Sequence, residues 1–72
     1  MELGERIKQW RKARELTQQD VADSCGITVS AVSLWESGDT APSQNHLAQV
    51  VELFGISMER FYGHVPRSKA AS

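Results

Sequence analysis

The chain has 72 residues, 40% of them apolar and 24% charged, with eight Lys and Arg against nine Asp and Glu for a formal net charge of -1. A chain this short forms one small domain and buries only about 60% of the surface its unfolded form exposes, which excludes a second domain and a deep substrate cavity. Cys25 is the only cysteine, so a disulfide framework and a cysteine-rich zinc site are excluded and a reducing, cytoplasmic setting is expected. No apolar run approaches the ~18 to 20 residues that span a bilayer, and Met1-Glu2-Leu3-Gly4-Glu5 lacks the basic start and apolar stretch of a signal peptide. No membrane partner is expected.

In chain order, Leu3, Ile7 and Trp10 fall at helical spacing with Glu5, Arg6, Lys8, Gln9 and Lys12 on the other side, which predicts an amphipathic helix over Leu3 to Leu16. Thr17 precedes Gln18, Gln19 and Asp20, so its hydroxyl can accept from the free amides of a second helix while Asp20 sits in the positively polarised first turn. That helix carries Val21, Ala22 and Cys25 inward and stops at Gly26, which takes a left-handed conformation without steric cost. Thr28 caps a third helix over Val29 to Ser37, ended by Gly38, with Val32 and Trp35 on one face. Asp39-Thr40-Ala41-Pro42 is a loop by composition. Ser43 starts a fourth helix striped by Leu47, Val50, Val51 and Phe54 and ending at Gly55, with Ile56 packed behind it. Ser57 caps a short last helix carrying Met58, Phe61 and Tyr62. Residues 64–72 lack periodicity and are expected to form a flexible tail or the start of a linker, leaving a domain over 1–63. With no alternating strand pattern and no internal repeat, the fold expected is all-α, five short helices around one core.

The informative segment runs from Gln18 to Ser37. Two short helices joined at Gly26 bury Val21, Ala22, Cys25, Ile27, Val32 and Trp35; small Ala22 permits a close crossing, which is the logic of a helix-turn-helix. Together with Leu3-Gly4-Glu5-Arg6-Ile7 before it and Trp35-Glu36-Ser37-Gly38 and Pro42-Ser43 after it, this segment resembles the Cro/C1-type (XRE) helix-turn-helix family of phage and bacterial regulators, over roughly residues 3 to 62. The resemblance implies a lambda-repressor-like module that binds double-stranded DNA as a homodimer. The third helix would lie in the major groove of each half of a palindromic operator, most simply as a repressor. It implies base contacts from Val29, Ser30, Ser33 and Leu34 and backbone contacts from Thr17, Gln18, Thr28 and Ser37. It also implies an internal ion pair between Arg11 and Glu36 and a dimer interface at Met58, Phe61 and Tyr62.

Charge is distributed unevenly. Residues 1–14 sum to +3, residues 15–59 contain seven acids and no Lys or Arg and sum to -7, and residues 60–72 sum to +3. Cations drive non-specific affinity by releasing counterions, so random DNA should be bound weakly and with shallow salt dependence. The third helix has no Arg, Asn or Gln for a bidentate base contact; Val29 and Leu34 can meet thymine methyl groups, and Ser30 and Ser33 can hydrogen-bond several bases. The basic cluster of the first helix reads equally as a solvated face and as a phosphate contact.

The same residues admit other readings. Val29, Leu34 and the acidic middle fit a protein-interaction module on the same scaffold, antitoxin-like or an adaptor. Cys25 has no base placed beside it in the motif and reads as a small buried apolar residue; His46 and His64 are too far apart for a metal site. No paired carboxylates, Ser/His/Asp set or phosphate-cradling glycine loop is present, so neither an enzyme nor a cofactor nor a small-molecule substrate is expected.

Overall fold

Hydroxyl caps set where four of the helices begin. Thr17, Thr28, Ser43 and Ser57 each accept a hydrogen bond from the backbone N–H three residues on, at Asp20, Ala31, His46 and Arg60, over 3.0 to 3.2 Å. In the computed structural model, which describes residues 1–64, these caps precede α2 (Gln18–Cys25), α3 (Val29–Ser37), α4 (Gln44–Phe54) and α5 (Met58–Gly63). The first helix, α1 (Leu3–Ala13), starts after Glu2 with no side-chain cap. Every regular element among the described residues is helical, and none of the helices is long and apolar enough to cross a membrane. The tail expected over 64–72 lies, beyond His64, outside the described residues.

The first helix is shorter than its apolar spacing predicts. It stops at Ala13 rather than running to Leu16, and Glu15 takes the left-handed region at φ 58°. The break is held from behind: the Leu16 N–H donates to Arg11 O at 3.0 Å, and Arg11 Nη1 donates to Leu16 O at 2.9 Å. Those bonds satisfy end-of-helix groups that glycine turns satisfy elsewhere, and no glycine marks them in the sequence.

One core joins all five helices. Ile7, Val21, Ala22, Val32, Val50 and Phe61 are fully buried, with Trp10, Trp35, Val51 and Phe54 almost so. Complete burial of an aliphatic or aromatic side chain contributes roughly 1.5–3 kcal/mol, so this set is the main source of stability. Phe61 corrects an expectation. The resemblance places it on a surface between two copies, but it is 0% exposed within a single chain, where it closes the bottom of the core and packs edge-on to Tyr62 at 5.0 Å. Its carbonyl accepts from the Trp10 indole N–H at 3.2 Å and from Arg6 Nη1 at 3.0 Å, which docks α5 onto α1.

Two contacts fix α3 against α1. Gly4 lies where the start of α1 meets the last turn of α3: a Cβ there would collide with Trp35 O and come within 2.9 Å of Glu36 O. Arg11 and Glu36 then meet at 2.7 Å, with side chains only 12% and 5% exposed. This pairing is bidentate, Nε to Oε2 and Nη2 to Oε1 at 3.1 Å, the geometry in which a guanidinium and a carboxylate orient each other most firmly.

Candidate nucleic-acid interface

The turn between α2 and α3 depends on Gly26, at φ 67°, whose conformation lets the Ile27 N–H return to Ala22 O at 3.0 Å. Ala22 is fully buried at this crossing. With its back face held by Val32 and Trp35 and its last turn by the Arg11–Glu36 pair, α3 presents the opposite face to solvent. Val29 and Leu34 are 39% and 43% exposed, and Ser30 and Ser33 are exposed beside them. No covering segment lies over them among the described residues. The apolar residues sit at i and i+5, with the two hydroxyls between them, so the face offers methyl groups and small hydrogen-bonding groups and no charge.

Around that face the expected backbone-contact residues differ in what they have free. Thr28 and Thr17 use their hydroxyl oxygens as acceptors in caps; the Thr28 proton is not committed there, whereas the Thr17 hydroxyl also bonds the Asp20 carboxylate. The Thr17 N–H also donates to the Asp20 carboxylate at 2.8 Å, completing a capping box, and this bond is the main reason the Asp20 carboxyl is held below its ordinary range. Gln18 Nε2 donates to Glu36 Oε1 at 3.1 Å, so the amide is oriented by the ion pair. Ser37 Oγ lies 3.0 Å from Leu34 O and 2.8 Å from Asp39 Oδ2 and gives its one proton to one of these acceptors. Of the four, Ser37 stands beside a carboxylate and is the poorest partner for a phosphate.

The basic residues of α1 and its C-terminal cap, apart from the paired Arg11, separate into two groups that the sequence does not distinguish. Arg6 donates to Phe61 O and His64 O, and Arg14 donates through Nε to Phe54 O at 2.8 Å and lies 5.3 Å from the Trp10 ring centre. Both cover carbonyls in the last turns of other helices, where cations are favoured. Their partners lie 40 or more residues away, so no local pattern announces them. Lys8 and Lys12 make no such bond among the described residues. They line a shallow groove beside α3 with Gln18, Ser33 and Ser37, floored by Arg11 and Glu36. A second groove, along the start of α1 and the loop after α3, carries Glu2, Glu5 and Asp39.

The remaining candidates are structural. The Cys25 thiol is buried, lies 3.8 Å from His46 O, and has its pKa raised by desolvation, so it is a poor nucleophile at neutral pH. Among the described residues no three His, Cys, Asp or Glu are grouped to hold a metal ion. Met58 and Tyr62, at 38% and 51% exposure, remain as exposed apolar residues at the far end of the bundle.

A helix-turn-helix family model matches residues 7–61, which include all of α2, the turn and α3. The chain belongs to the XRE-type helix-turn-helix family. Among curated relatives it is 32% identical over 63 residues to the cryptic phage CTXphi transcriptional repressor RstR of Vibrio cholerae, covering 88% of this chain and 56% of that protein. It is 30% identical over 59 residues to the HTH-type transcriptional activator BcrR of Enterococcus faecalis, covering 82% of this chain and 29% of that one. The chain thus spans about half or less of the length of these relatives. A transcriptional regulator from Listeria innocua shares the fold with a TM-score of 0.75 at 21% identity, over 92% of this chain and 62% of that structure. This XRE-type domain therefore has the scaffold of transcriptional regulators, with an uncharged exposed face on α3.

Proposed function

We propose that this XRE-type domain is a cytoplasmic transcriptional regulator that binds double-stranded DNA by inserting α3 into the major groove, as a dimer on a palindromic operator, and represses the adjacent promoter. The observation that carries the reading is the exposed face of Val29, Ser30, Ser33 and Leu34, held outward by the buried Val32 and Trp35 and by the Arg11–Glu36 pair. In this reading Val29 and Leu34 meet thymine methyl groups and the serines meet base edges, while Thr17, Thr28 and Gln18 touch the sugar-phosphate backbone. Two copies associate through Met58 and Tyr62, which places two reading helices about one turn of the duplex apart. The domain needs no cofactor and performs no chemistry on its ligand.

The test is a gel shift against the DNA flanking the chain's own gene. Leu34→Ala and Ser30→Ala should abolish the specific complex, and uracil in place of thymine in the half-site should weaken the wild type about tenfold, the value of one lost base contact. Retention of the specific complex by both variants sinks the groove-reading role of α3. A second reading, a protein-interaction module, is favoured by the groove of Glu2, Glu5 and Asp39 at the end of α3. Binding of a basic protein partner with no sequence preference for DNA would select it.

A further inference from the structure

Between Glu15 and Glu59 the chain has no Lys or Arg, so positive charge beside α3 has to come from another helix. Three of the five cations of α1 and its C-terminal cap are already used: Arg6 and Arg14 on backbone carbonyls, and Arg11 on Glu36. Lys8 and Lys12 remain. Four residues apart, they stand on one face of α1, one turn above the other, and that face borders the groove shared with Gln18 and Ser33. The acid lining this groove, Glu36, has its oxygens occupied by Arg11 and Gln18, so neither ammonium is neutralised there. Two like charges on adjacent turns repel each other, a cost relieved by an anion placed beside both.

We propose that Lys8 and Lys12 form a seat for backbone phosphates of the DNA duplex, on the α1 side of α3. The Gln18 amide, held in place by Glu36, supplies a neutral donor at the back of the seat, and the Ser33 hydroxyl supplies one at its rim, next to the base-reading face. Because the other groove along α3 carries Glu2, Glu5 and Asp39, the strand that follows the lysine side is held and its counterpart is not. The charge contact is therefore one-sided within each half-site. The seat rests on the reading of α3 as a major-groove helix, and it adds a residue set on α1 to that reading.

The experiment is a salt titration of binding by the full chain to a duplex carrying its selected site, followed by fluorescence anisotropy. Each lysine that pairs with a phosphate contributes about 1 to the slope of log affinity against log salt. The double variant Lys8→Gln/Lys12→Gln should therefore lose about 2 from the slope per bound chain, while Lys8→Arg/Lys12→Arg retains it. Both side chains are at least partly solvent-exposed, so the thermal midpoint of the glutamine variant should match the wild type. In a second arm, methylphosphonates are placed one at a time along the half-site. Neutralising the seated phosphate should weaken the wild type and leave the glutamine variant unchanged. A wild type that binds its site, with the same slope and methylphosphonate profile in the glutamine variant, overturns the seat and leaves the α3 reading standing. A wild type that selects no duplex at all overturns both.

Discussion

Two grooves run along α3, and they differ in sign. One is walled by Lys8 and Lys12 from the later turns of α1, the other by Glu2 and Glu5 from its start together with Asp39 from the loop after α3; Glu36 lines both. Taken alone, α1 has the order of charge that its own dipole favours, with Glu5 in the first turn and Arg11 and Lys12 in the last. Packed across α3 at Gly4 and Arg11, that order becomes a surface whose two ends treat an anion oppositely. A local helix preference has been converted into a directional interface by the position of one neighbour.

The strongest way to break this arrangement is to remove the acid that lines both grooves. Glu36→Gln leaves the Arg11 guanidinium with a neutral partner in a site 12% exposed. It should cost about 3 kcal/mol in urea unfolding, as loss of one member of a buried pair does. Gly4→Ala comes next. In an open helix the change would gain up to about 1 kcal/mol, but here the new methyl meets the carbonyls of Trp35 and Glu36, which are backbone and cannot rotate away. A net loss of about 2 kcal/mol, or roughly 8 to 16 °C in thermal midpoint, is expected. A gain in midpoint would show that α1 and α3 are not held at this distance.

Smaller changes sharpen the comparison. Thr17→Ala removes the cap at the start of α2, where Gln18 enters the lysine-lined groove, and should cost about 1 kcal/mol. It should also flatten the acid limb of stability slightly, because only the hydroxyl's share is removed and the backbone N–H at position 17 stays. Asp20 has its folded pKa lowered, chiefly by the Thr17 backbone N–H and then by the hydroxyl. Its contribution is present above the ordinary carboxylate pKa and is lost as pH falls through the folded value. A wild type and variant with the same acid limb in thermal scans would remove that link. Last, Asp39→Lys reverses a charge in the acidic groove and should steepen the salt slope of DNA binding by about 1 per chain. Affinity would then fall about 3.5-fold more than in the wild type across a fourfold rise in salt. An unchanged slope would place Asp39 away from the duplex.

Helix identity was legible wherever a local signal was complete. Thr17, Thr28, Ser43 and Ser57 mark starts, and Gly26, Gly38 and Gly55 mark ends, because each acts on backbone groups within a few residues of itself. The one misplaced end, at Ala13, has no such marker, since Glu15 takes the left-handed role there. The exposed face of α3 was legible as well, because burial of Val32 and Trp35 dictates what stands opposite. Phe61 was not: an aromatic on a two-turn helix shows the same spacing whether it faces its own core or a second copy.

The sequence by itself determined the five helices, the glycine turn between α2 and α3, and the residues α3 turns outward, since all of these follow from caps, turn conformations and periodicity acting over one or two turns. Only the tertiary structure decided which cations are free. Arg6 and Arg14 are drawn onto carbonyls at the ends of α5 and α4, and Arg11 onto Glu36, across 25 to 58 residues of chain. Coulomb attraction depends on distance in space, and folding sets that distance independently of separation along the chain.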